Sequence, residues 1–152
     1  MTDKPLSDAL VAHAEVQNAE TFERRHDRHV TFEEPVSIDL TEAERHLLVR
    51  GFGEWGGPAH ATDALAVAMG FQAVADMYQQ TDRLRAAIKA GHPLSRQDWR
   101  RSLLATEIVF ASDIFGSGYE WSTTTGLSDE ETMRTLRRLQ HKLAMQARVH
   151  NV

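Results

Sequence analysis

Glu107 is the residue that most invites a chemical role, because it falls near the middle of the apolar face of the most hydrophobic predicted helix. Stepping about 100° per residue sets Leu103, Phe110 and Ile114 on one side of it and Leu104 and Ala111 on the other. A carboxylate there must be paired, become protonated or face a cleft. Its basic partners would be Arg100, two turns earlier on the same face, or Arg134, Arg137 and Arg138 on the last helix. Alternatively the face opens to solvent at that turn. In a cleft Glu107 would be a ligand or catalytic carboxylate, since perturbed carboxylates mark sites as well as structural networks. An enzyme or small-ligand binder built on it would gather Glu54, His60 or Asp113 around the same cleft. Asp113 lies about 120° around the helix from Glu107, so the two are not a carboxylate pair on one face.

Other chemistries leave weaker traces. The chain has no cysteine, hence no thiol nucleophile, disulfide or cysteine zinc site. Gly-x-Ser-x-Gly is absent, and no histidine can be assigned to a serine. His26 and His29, with Glu23 and Glu33 nearby, have a spacing that puts two imidazoles on one helical face. Arg24, Arg25 and Arg28 crowd the same segment with positive charge, and there is no second histidine pair. Gly116-Ser117-Gly118 is too short for a phosphate loop, and Gly-x-x-x-x-Gly-Lys does not occur. Neither a metal nor a cofactor is expected. The run from Trp55 to His60 has glycines that allow close approach to a ligand, yet a helix stop is its more economical explanation.

Residues 62–88 resemble a helix-turn-helix in spacing, with Ala66 and Gly70 at a tight corner. Asp63, Asp76 and Asp82 cancel Arg83, Arg85 and Lys89, so the second helix lacks a basic footprint for phosphates. A DNA-binding regulator is therefore a minor alternative, and nucleic acid is not an expected partner. The irregular stretch 116–127 offers more. Its glycines leave the backbone adaptable while Tyr119, Glu120 and Trp121 supply contact area, which suits a protein-binding loop. The competing reading is that Tyr119 and Trp121 fold back over the core.

The elements that must position these residues are read from caps and periodicity. Thr41 and Glu44 form a capping box with Leu40 as staple, opening a helix over 42–55 that stops at Gly56-Gly57-Pro58. Thr62 caps a short helix to Met69, and Val74, Met77, Tyr78, Leu84 and Ile88 carry the next one to Gly91. Ser95 and Asp98 open a helix from Arg96 to about Phe115. Ser128 to Glu131 open the last, with Met133, Leu136, Gln140, Leu143 and Ala147 facing inward and basic residues toward its end. No segment alternates convincingly, although residues 30–38 have room for one short strand. The expected fold is all-α: a single domain of five to six helices in orthogonal or mixed packing. Residues 1–40 form an acidic N-terminal helix or arm, and residues 41–150 the helical core.

The chain's 152 residues suffice for one such core. Net charge is −5 and uneven, with 11 acidic against 5 basic side chains in residues 1–46. That arm disfavours nucleic acid and anionic membrane and suits a protein partner with a basic surface. No stretch approaches transmembrane length, and the N-terminus lacks the apolar run of a signal peptide, so a cytoplasmic location is expected. The leading functional expectation is a non-enzymatic interaction protein, such as an adaptor, regulator or toxin-neutralising partner, with self-association open to it.

Overall fold

The computed structural model describes residues 34–151. The chain divides into two units, Met1–Glu34 and Pro35–Val152, and the architecture below is that of the second. Residues 1–33 of the expected N-terminal helix or arm, the His26 and His29 pair, and residues 30–33 of the expected strand lie outside the described residues.

Six α-helices follow one another: α1 (Glu42–Glu54), α2 (Asp63–Ala68), α3 (Val74–Ala90), α4 (Arg96–Ala111), α5 (Trp121–Thr125) and α6 (Asp129–Gln146). Single 3-10 turns cover Gly118–Glu120 and Val149–Asn151. Among the described residues no strand forms. The expected strand is reduced to one antiparallel bridge, Val36 to Leu94. No described helix is long and apolar enough to cross a membrane.

The expected starts of four helices hold because each depends on a side chain three residues from its target. Thr41, Thr62, Ser95 and Ser128 accept from the N–H groups of Glu44, Leu65, Asp98 and Glu131. At α1 the box is reciprocal, since Glu44 accepts from the Thr41 N–H at 2.9 Å. At α4 the Asp98 carboxylate instead takes Arg83 at 2.9 Å and Arg101 at 3.0 Å, and the Arg83 bridge ties α3 to α4. Ala73 offers α3 no side-chain cap. Asp63 accepts from the Val74 N–H and Asp76 from that of Gln72, which stitches the α2–α3 corner.

Helix α1 is central, packing on α3, α4 and α6. Its Gly51 permits the close crossing with α4: a β-carbon there would stand 3.0 Å from Thr106 Oγ1. Three buried tryptophans fix the core, and each indole N–H finds an acceptor. Trp55 donates to the Ala105 carbonyl at 3.2 Å, Trp99 to the Val36 carbonyl at 2.9 Å, and Trp121 to Thr132 Oγ1 at 2.8 Å.

Helix α4 ends at Ala111, four residues before the expected Phe115. Ser112 turns the chain by accepting from the N–H groups of Ile114 (3.2 Å) and Phe115 (3.0 Å), an alternative to further helix that serine readily supplies. The irregular stretch is likewise more ordered than expected, because α5 occupies its second half.

Candidate functional site

The segment after α4 is braced by its own polar atoms. Asp113 Oδ1 accepts from the Tyr119 N–H at 2.8 Å, and the Ser117 N–H donates to the Val109 carbonyl at 2.8 Å. Two glycines are required for this fold-back. A β-carbon on Gly116 would sit 2.5 Å from the Val109 carbonyl oxygen, and one on Gly118, where φ is +44°, would collide with the Asp113 carboxylate.

Glu54, the last residue of α1, closes the segment from inside. It is 6% exposed, and its Oε2 accepts from the hydroxyls of Ser117 and Thr124, each at 2.6 Å. A carboxylate that close to a serine hydroxyl has the geometry of a base beside a nucleophile. Ser117, however, is 2% exposed, so a substrate has no approach to the hydroxyl. The pair works as a latch instead, fixing residues 112–125 to the end of α1. Arg50 adds to it by donating to the Thr124 carbonyl at 2.7 Å. His60 joins through its backbone, whose N–H donates to the Phe115 carbonyl at 3.0 Å, while its side chain is exposed.

The structure therefore brings Glu54, Asp113 and the His60 backbone to one segment, but not into a cleft. Glu107 is engaged elsewhere: it is half-buried and accepts from Gln140 Nε2 of α6 at 2.6 Å. Of the arginines expected on the last helix, Arg134 pairs with Glu130 instead, and Arg137 and Arg138 bond Gln140 and Thr135. Arg134, Arg137 and Arg138 are exposed on α6. Asp113 is exposed and serves as a local brace.

Trp121 is also corrected as a surface anchor. It is completely buried, edge-on to Phe110 at 5.5 Å, because α5 turns its indole into the core. Tyr119 stands outside at 80% exposure and Glu120 is partly exposed, while Ile114, not singled out by the sequence, is 75% exposed. The Asp113–Tyr119 hydrogen bond holds the backbone positions of Ile114 and Tyr119 close together.

The opposite end of α1 has a different chemistry. Glu44 is 2% exposed and takes the Lys142 ammonium at 2.6 Å, which also donates to the Asp39 carbonyl. Burial pushes the Glu44 carboxyl up, but hydrogen bonds from Lys142 and Thr41 outweigh it and hold the group below the ordinary carboxylate range. Beside this pair an open groove of about 770 Å³ runs along α6, lined by Thr41, Arg137, Arg138, His141, Lys142 and Met145. A second hollow, of about 540 Å³, lies between Glu42, His46, Leu47, Leu127 and Thr135. Among the described residues Arg137 and Arg138 donate to neutral partners of their own helix, Gln140 and Thr135.

Among the described residues no group of three or more histidines and acids is placed to hold a metal. The acids of the helix-turn-helix-like corner are structural, Asp63 and Asp76 capping it. The backbone N–H of Gln72 does most to hold the Asp76 carboxyl below its usual range. Sequence reasoning missed the Ser117–Glu54–Thr124 latch and the α6 groove. A helical projection of residues 129–146 would have pointed to the groove, since it sets the arginines outward. Comparisons with protein-family models, characterised proteins and solved structures returned no match.

Proposed function

We propose that this chain is a small cytoplasmic, non-enzymatic interaction module that docks a protein partner through residues 112–120. One observation carries the reading: Ile114 and Tyr119 stand at 75% and 80% exposure on a backbone already held by internal hydrogen bonds. Apolar groups fixed before binding lose little conformational freedom on docking, and tyrosine presents a large area with few rotatable bonds. The surroundings set the partner's charge. Residues 102–133 contain Glu107, Asp113, Glu120, Asp129, Glu130 and Glu131 and no lysine or arginine. A basic surface around an apolar recess complements them.

Affinity capture from the protein's own cells tests the reading, with wild type and the Ile114→Ser/Tyr119→Ala double variant compared at equal melting temperature. The expected result is a partner recovered with wild type and lost from the variant. A partner retained equally by both would overturn it.

A further inference from the structure

We infer that the basic surface this loop recognises is carried by the chain itself: the 112–120 loop of one copy docks head-to-tail in the α6 groove of a second copy. The inference rests on the loop being a docking segment and adds what it docks on.

The charge of the described unit is divided along the sequence. After the stretch 102–133, with six carboxylates and no lysine or arginine, residues 134–151 carry Arg134, Arg137, Arg138, Lys142 and Arg148 and no carboxylate side chain. Lys142 is committed to Glu44, whereas Arg137 and Arg138 have no carboxylate partner among the described residues. Exposed apolar surface follows the same division. The three most exposed large apolar side chains among the described residues are Tyr119 (80%), Ile114 (75%) and Met145 (69%). Two belong to the loop and the third lines the groove. Each surface thus offers what the other lacks, an acid-rimmed apolar projection against a base-rimmed apolar recess.

One molecule cannot bring the two together. The groove adjoins Thr41 and Glu44 at the start of α1, and the loop is latched to Glu54 at its end. Ten residues of helix separate Glu44 from Glu54, about 15 Å at 1.5 Å per residue. The loop's internal hydrogen bonds leave it no freedom to cross that span. A two-fold contact through either surface is unfavourable too, because it would set Arg137 and Arg138, or Asp113 and Glu120, against their own images. Head-to-tail docking pairs unlike surfaces and leaves one free loop and one free groove at the ends. A single loop in a single groove is a small interface, so the association is weak and sensitive to salt.

Sedimentation velocity on the full chain tests this. At low ionic strength the average mass should rise with protein concentration, and added salt should weaken association roughly tenfold or more. The groove variant Arg137→Glu/Arg138→Glu and the loop variant Ile114→Ser/Tyr119→Ala should each be monomeric alone and melt as wild type does. The single changes Arg138→Glu and Tyr119→Ala provide the same test should a double variant fold poorly. Mixed, the groove and loop variants should form a one-to-one heterodimer that grows no further, because only one intact loop and one intact groove remain. A wild type that stays monomeric at every concentration and salt overturns the inference. So does a mixture that stays monomeric while wild type assembles. A monomeric wild type that still loses a different captured partner on Ile114→Ser/Tyr119→Ala would remove self-docking alone and leave the loop's docking role standing.

Discussion

At its N-terminal end α1 buries Glu44 against the ammonium of Lys142, and at its C-terminal end it buries Glu54 against two hydroxyls, those of Ser117 and Thr124. Both carboxylates satisfy the demand that a buried charge be hydrogen-bonded. The consequences differ. The Glu44 pair joins α1 to α6 and makes that junction depend on charge. The Glu54 latch spends the polar atoms of a loop inward, which leaves Ile114 and Tyr119 as its outward face. A carboxylate beside a serine is therefore read as catalytic or structural according to whether solvent reaches the hydroxyl, and here it does not.

The largest effects should fall on the groups that are wholly buried. Glu44→Ala strands the Lys142 ammonium beside α1 and should cost about 3 to 5 kcal/mol in denaturant unfolding. Trp121→Ala empties a core position and removes the indole hydrogen bond to Thr132, with an expected loss of about 3 to 5 kcal/mol. If Trp121 were an interface anchor instead, the melting temperature would barely move. The Glu44 end should also be acid-sensitive. With its folded-state pKa below the unfolded value, Glu44 contributes stability that is present above the unfolded-state pKa and lost as pH falls through the folded one. Glu44→Gln should flatten that acid limb of the stability curve, and an unchanged limb would contradict a charge-dependent junction at this end.

Intermediate effects belong to the latch. Glu54→Ala leaves the buried Ser117 hydroxyl without its acceptor and Thr124 with the longer contacts to the Glu120 and Trp121 carbonyls, and should cost about 1 to 3 kcal/mol, whereas Glu54→Gln keeps an accepting oxygen and should cost less. Equal losses for the two variants would mean that charge, rather than hydrogen bonding, holds the loop. The smallest effect is expected where Glu107 accepts from the neutral Gln140 at a half-buried position: Gln140→Ala removes that one hydrogen bond and should cost about 1 kcal/mol in denaturant unfolding.

What was legible in the sequence was local. The caps at Thr41, Thr62, Ser95 and Ser128 act over three residues, and the all-α class follows from them and from the apolar periodicity. The end of α4 was not legible, because Ser112 could extend a helix or turn it, and its choice depends on Asp113 and Gly116 folding back. The choice between the two readings of Trp121 is hidden for a related reason. A helix of five residues shows too little periodicity to reveal which way its indole points. Glu54 and the threonine run were visible, but nothing in their spacing relates residues 63 and 70 positions apart. Glu107 stands out as a charge on an apolar face, but its spacing gives no sign of the hydrogen bond it accepts from Gln140 on α6.

Native-state hydrogen exchange at the Ser117 and Tyr119 amides tests most directly whether residues 112–120 form a rigid, closed platform rather than an open catalytic loop. Their bonds to the Val109 carbonyl and the Asp113 carboxylate predict protection approaching that of α4, falling sharply in Glu54→Ala. Exchange of both amides at unprotected rates in the wild type would contradict the account. It would mean that the loop opens freely, and that the Glu54–Ser117 pair is accessible to substrate after all.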